Sequence, residues 1–159
     1  MRIRRSVRGI LVAGIDRERS DPLAQAKVLL MAMDFPWHDG PQWITPGGGI
    51  EAEESPLDAL RRELFEETGF RLETTPTQIG TGSEPYPDAG ITLDHRFFLI
   101  PSPLFTPRAL ALEPREAGWF QSSAWHALTA LDGLDLLPTN LATGIRSAVV
   151  DNITDFKFA

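Results

Sequence analysis

Apolar residues in this chain fall in short runs, separated by charged stretches or by segments rich in glycine and proline. The run from Arg5 to Ile15 predicts a first strand, and Lys27 to Met33 a second whose unbroken apolar character suits burial on both faces. The charged segment Asp16 to Gln25 and the Pro-, Gly- and aromatic-rich segment Asp34 to Gln42 read as loops. Trp43-Ile44-Thr45 predicts a short strand running into Pro46-Gly47-Gly48-Gly49. Gln78 to Thr81 and Ile91 to Ile100 predict further strands, joined by a loop containing Glu84 to Asp88, and Arg115 to Gln121 another, ending in Trp119-Phe120.

Three helices are expected. The first is well marked: Ser55 suits the cap, Pro56 the first helical position and Asp58 the positive first turn, while Gly69 suits a left-handed residue after the end. Leu57, Leu60 and Leu64 give it an apolar stripe. Ser122 to Leu131 predicts a second helix, placing His126 on an ordinary helix surface, and Asn140 to Asn152 a third, apolar at Leu141, Ile145, Ala148 and Val149. Strands interleaved with helices imply an α/β fold with a mixed sheet sandwiched by helices.

The length of 159 residues suits a single domain, residues 1–159. No apolar run approaches the roughly 18 residues a membrane span needs. Met1 to Arg5 followed by Gly9 to Ile15 faintly resembles a secretory leader, but two glycines and the charges from Asp16 onward favour a strand. The absence of cysteine excludes disulfides, thiolate metal sites and a cysteine nucleophile, and fits a reducing cytoplasm. A net charge of −7 disfavours long nucleic acid, which is gripped through basic surfaces, but leaves room for a small phosphate ligand if a cation mediates.

The first helix carries the chemistry. Glu63, Glu66 and Glu67 stand at i, i+3 and i+4, on one face. Like charges so spaced repel by a few tenths of a kcal/mol per pair. They also crowd the negative end of the helix dipole, where cations are favoured. A divalent cation is the simplest compensation, and carboxylate oxygens suit Mg²⁺ or Mn²⁺; a solvated acidic face is the alternative. With no cysteine and the histidines outside the helix, zinc is a poorer fit. Gly47, Gly48 and Gly49 let the preceding backbone approach a ligand closely, so loop and helix can bracket one metal–phosphate site.

The segment Gly48-x5-Glu54-x7-Arg62-Glu63-Leu64-x-Glu66-Glu67-x-Gly69-Phe70 resembles the complete Nudix box, matching all nine specified positions over 23 residues. Trp43 to Pro46 and Trp119-Phe120 are also similar to the family, so the resemblance covers the whole chain and implies a Nudix α/β/α sandwich. It implies metal ligation by Glu63, Glu66 and Glu67, with the Gly48 carbonyl joining them. It further implies that Arg62 orients the glutamates and that Glu54 pairs with Arg62 to fix the loop. The implied reaction is hydrolysis of a nucleoside diphosphate linked to another moiety, such as ADP-ribose, a nucleotide sugar, a dinucleoside polyphosphate or a nucleoside triphosphate. The cofactor is Mg²⁺, with Mn²⁺ as substitute, and the nucleophile a metal-activated water. Glu66 or Glu67 would take the water's proton, or a carboxylate outside the box, for which Glu113 and Glu116 are the candidates.

Substrate clues are thinner. Pro85 is similar to a marker of ADP-ribose pyrophosphatases, and Tyr86 to one of diadenosine polyphosphate hydrolases. Phe35, Trp37 and Tyr86 suit stacking on a base, or packing of loops against the core. Arg4, Arg5, Arg8 and Arg96 suit phosphate contacts. His95 and Arg96 are adjacent on a strand and must face opposite sides. The competing reading is a sensor or regulator that binds a nucleotide on a Nudix fold without cutting it; the intact glutamate set argues against it. The missing cysteine and shorter length argue against the isopentenyl diphosphate isomerase branch, and the acidic charge against RNA decapping. The resemblance also implies a homodimer.

Overall fold

The computed structural model describes residues 2–86 and 89–159. Its centre is a parallel pair, β1 (Arg2–Ala13) and β6 (Ile91–Pro101), in register from Arg2 opposite Ile91 to Val12 opposite Pro101. β5 (Thr77–Tyr86) adds antiparallel to β6, and β9 (Phe156–Phe158) adds parallel to β5. On its other edge β1 is shared. Ser6 to Arg8 pair with β4 (Gly47–Gly49), and only Val12 and Ala13 pair with β2 (Lys27–Met33). β2 repeats the device, pairing next with β3 (Gln42–Ile44), while β7 (Phe120–Ala127) runs along its far edge. β8 (Leu136–Leu137) closes that side on β3. β1 and β2 therefore join at one end and part at the other. The chain between β3 and β4 spans the gap, with the Gly9 amide donating to the Pro46 carbonyl at 2.8 Å.

Alternation along β1 and β6 supplies two cores. Val7, Leu11, Phe98 and Ile100 face α1 (Pro56–Thr68) and meet its Leu60 and Leu64. Gly9 leaves room for Leu64: a β-carbon there would stand 2.8 Å from a Leu64 methyl. Ile10, Val12, Phe97 and Leu99 face the opposite side and meet Ile145 and Val149 of α3 (Leu141–Asp151). Helix, mixed sheet and helix form the expected α/β sandwich. No helix among the described residues is long and apolar enough to cross a membrane.

The ends of α1 match the sequence signals. The Asp58 amide donates to Ser55 Oγ at 3.1 Å, and Gly69 is left-handed at φ 79° with its amide on the Phe65 carbonyl. Other boundaries shift. β5 continues through Glu84 to Tyr86, which sequence assigned to a loop; Pro87 and Asp88 of that loop lie outside the described residues. The strand expected at Arg115 to Gln121 begins only at Phe120. Before it, Pro114 in the first position turns the chain into a one-turn helix, α2 (Pro114–Ala117).

The helix expected from Ser122 to Leu131 is instead β7, followed by a 3₁₀ turn at Leu128–Gly133. Local preference there is weak, and pairing with the whole length of β2, Leu29 opposite Trp125, decides the outcome. His126 accordingly leaves the helix surface assigned to it and packs edge-on against Trp43, ring centres 4.4 Å apart.

Candidate functional site

The glycine strand brings helix and sheet together. β4 lies across β1 with its other side against α1, and nothing larger than glycine fits. A β-carbon on Gly47 would stand 2.0 Å from the Val7 carbonyl, and one on Gly48 2.6 Å from the Glu63 carboxylate. Glu63 and Glu67 are consequently buried, at 4% and 3% exposure, in a helix whose acidic face would otherwise meet water. Glu67 Oε1 accepts the Gly47 amide at 3.1 Å.

Arg62 is the hub of the box. It makes a two-pronged contact to Glu54, both bonds 2.9 Å, donates to Glu63 at 2.8 Å and to the Gly49 carbonyl at 3.1 Å, and lies 3.6 Å from Glu66. The Arg62 hydrogen bonds hold the Glu54 carboxyl down to about 2, and those carboxylates raise the guanidinium further above its already high value. Glu54 also accepts the Glu51 amide at 3.1 Å, which fixes the loop entering the helix. The far end of α1 has support that sequence could not reveal. Amides of Arg108, Leu110 and Ala111 donate to the Thr68 and Glu66 carbonyls, blunting the negative pole on which the glutamates crowd.

The gap between the diverging β1 and β2 opens beside these glutamates as a cleft enclosing about 820 Å³ of space, part of it open to solvent. Glu67 enters from the helix and Glu116 from α2, opposite it. Burial pushes the Glu67 carboxyl well above the ordinary carboxylate range, and the charges of Glu116 and Glu63 push the same way. Burial likewise lifts Glu116 to about 7, with Arg8 opposing and Glu63 adding. Burial and Glu63 raise Glu66, which is half-buried. Glu113 is exposed at the start of α2 and does not line the cleft; it acts on Glu66 and Glu116 only through its charge.

The floor carries a polar chain. Arg8 donates to the Thr45 and Gly47 carbonyls at 3.1 and 3.4 Å, and its Nε points at His95 Nδ1 at 3.5 Å. The other ring nitrogen of His95 contacts Glu84 Oε1 at 2.7 Å. Arg8 offers only donors, so Nδ1 accepts and Nε2–H donates, which is the neutral ring. Burial agrees, lowering the His95 pKa against the pull of Glu84. Burial also works to raise Glu84, but the His95 bond and the Arg8 charge outweigh it and leave the carboxyl below its ordinary value.

One wall is aromatic. Phe35 and Trp37 stack with ring centres 4.9 Å apart, and Trp119 meets Phe35, Trp37 and Tyr86 edge-on. Of the substrate contacts expected from sequence, Arg8, Phe35, Trp37 and Tyr86 line the cleft, and Arg4, Arg5 and Arg96 do not. Arg96 alternates away from His95, on the face that β6 turns toward α1. Sequence reasoning missed Glu84, Trp119 and the cleft-side placing of His95. The period-2 pattern of β6 named the His95/Arg96 choice without deciding it. Glu84 was hidden because its segment looked like a loop.

No three acidic or histidine side chains among the described residues already converge as a ligand set. The donors nonetheless fit a hard divalent cation. They are carboxylates, two of them buried, and burial first, with the charges of neighbouring carboxylates added to it, raises Glu67 and Glu116.

The chain belongs to the NUDIX domain family, whose sequence profile matches residues 6–148. It is similar to an 8-oxo-dGTP diphosphatase of Proteus vulgaris, 44% identical over 63 residues covering 40% of this chain and 54% of the relative. It is also similar to the nucleoside triphosphatase NudI of Enterobacter sp. (strain 638), 33% identical over 100 residues covering 60% of this chain and 68% of NudI. Among solved structures, the NUDIX domain of Shewanella oneidensis NrtR, complexed with ADP ribose, shares the fold with a TM-score of 0.69. That alignment spans 94% of this chain and 90% of the other at 19% identity. Members of the family generally use a divalent metal.

Proposed function

We propose that the chain is a pyrophosphohydrolase that cuts a nucleoside diphosphate or triphosphate linkage with the help of Mg²⁺ or Mn²⁺. The observation that carries this reading is the buried carboxylate of Glu67, packed beside buried Glu63 and lining the same cleft as Glu116. Carboxylates packed this way are costly unless a cation answers them. Family membership supports the reading, as do two relatives named as a diphosphatase and a triphosphatase.

In this reading Glu63, Glu66 and Glu67 hold the cation, with the Gly48 carbonyl beside Glu63 as a further donor. When bound, the ion neutralises phosphate charge and acidifies a coordinated water. Arg62 keeps the glutamates aimed, and Glu54 keeps Arg62 in place. Arg8, which lines the cleft, contacts a phosphate in this reading. Glu116, lifted to about 7, is suited to take a proton from the attacking water at neutral pH, with Glu67 as the second candidate. The aromatic wall covers the base.

The test is a panel of nucleoside triphosphates, nucleotide sugars, ADP-ribose and dinucleoside polyphosphates, with Mg²⁺ or Mn²⁺, scored for released phosphate-bearing products. Turnover in ¹⁸O-labelled water then identifies the phosphorus attacked. Nucleotide binding without release of any product, with either metal, would replace this reading by that of a sensor.

A further inference from the structure

The cleft has two polar ends. Glu67 and Glu116 form one; Glu84, reached through Arg8 and His95, forms the other, beside Tyr86 of the aromatic wall. Only the first end concerns phosphate. Glu84 repels phosphate, and no metal chemistry requires it.

Its surroundings are built to present a carboxylate. Alternation on β5 turns Gly80, Gly82, Glu84 and Tyr86 to one side, and the two glycines keep the strand low. A β-carbon on Gly82 would stand 3.1 Å from the Phe97 ring and 2.9 Å from the Phe158 carbonyl. Glu84 is thus the first side chain of this row to project into the cleft. Its Oε1 is oriented by His95, and its Oε2 takes no hydrogen bond among the described residues. The carboxylate side chain is one-fifth exposed, so it is reachable from the cleft. Glu84 and the Tyr86 ring stand two residues apart on the same side of β5 and line the same cleft, so a base held against Tyr86 lies within reach of this carboxylate.

We propose that Glu84 selects the nucleobase, and that the base it selects is guanine. A carboxylate with one free oxygen, and a second lone pair on the other, matches two adjacent N–H donors. Guanine alone among the standard bases offers such a pair, at N1 and the 2-amino group. Adenine and cytosine each set an acceptor nitrogen beside their amino group, and uracil flanks its N–H with carbonyls. Each would bring lone pairs against the anion. His95 is a positioning residue here, fixing the carboxylate rather than touching the base.

The inference rests on the nucleotide reading proposed above, so its test is equilibrium binding, which needs no turnover. Calorimetry with GDP, IDP, ADP and UDP on the intact protein in Mg²⁺ is the measurement. GDP should bind about tenfold more tightly than IDP, which lacks only the 2-amino group, and more tightly still than ADP or UDP. Glu84→Gln offers one donor and one acceptor; it should bring GDP and IDP within about threefold and improve ADP relative to GDP. The thermal midpoint of the variant, close to that of wild type, shows that folding is intact. His95→Gln should weaken GDP while keeping the order of the bases.

Equal binding of all four nucleotides would overturn the inference, as would no binding of any, or a GDP preference that survives in Glu84→Gln. Hydrolysis of every base alike would overturn the guanine assignment while leaving the pyrophosphohydrolase reading standing. A GDP preference without hydrolysis of any compound would do the reverse.

Discussion

Glu67 unites a buried carboxylate and the proposed cation site in one side chain. Replacing it with Gln keeps the acceptor for the Gly47 amide and removes the buried charge. Glu67→Gln should lose at least about 2.7 kcal/mol of transition-state stabilisation, roughly a hundredfold in rate. Its thermal midpoint without divalent ions should equal or exceed that of wild type, because the variant no longer carries a carboxylate that burial opposes. Near-normal turnover would sink the assigned role. Glu54 behaves oppositely. Arg62 holds its carboxyl down to about 2, so the stability it contributes is complete above the ordinary value of 4.5 and fades as pH falls from there toward 2. Melting wild type and Glu54→Gln across that window should show a gap at pH 6 that has narrowed to a small fraction by pH 2.5; a constant gap would contradict the linkage. Sequence exposed these residues because the box fixes spacing along a single helix. It did not expose Glu84, whose importance comes from a neighbour on another strand.

At the scale of elements, α1 and the glycine strand act as one unit. Gly48→Ala sets a methyl group against the Glu63 carboxylate, and that buried side chain has little room to yield. This variant should lose activity by tenfold or more and melt earlier, while Gly133→Ala, with open space around it, should change neither. Circular dichroism melts and the nucleotide assay decide the matter; a silent Gly48→Ala would show that the strand tolerates bulk. Legibility follows the same line. α1 could be read from its caps, and β2 from its apolar run, because both signals are local. β7 could not, since its strand character comes from lying along β2, and Pro114 made a turn of α2 where a strand was expected. β4 was visible only as a run of glycines, with no side-chain alternation to mark a strand.

For the whole molecule, cation binding should register as stability. An ion that binds the folded chain and not the unfolded one raises the melting temperature with concentration. Mg²⁺ or Mn²⁺ at millimolar levels should do so for wild type, EDTA should reverse it, and Glu67→Gln should blunt it. A melting curve indifferent to divalent ions would leave the acidic cluster without its expected counterpart. The layered architecture was legible in advance from the interleaving of strands and helices. The cleft was not, because it is made by the parting of β1 from β2, a property of pairing that no local pattern encodes.

The meeting of Glu67 with Glu116 has a consequence in time. The two belong to elements far apart along the chain and face each other only across the finished cleft. Contacts made that late weigh on the rate of escape from the native state more than on the rate of reaching it. A cation held by the box glutamates at the edge of that cleft would therefore work as a latch: stopped-flow traces should show unfolding slowed by Mg²⁺ while refolding keeps its pace.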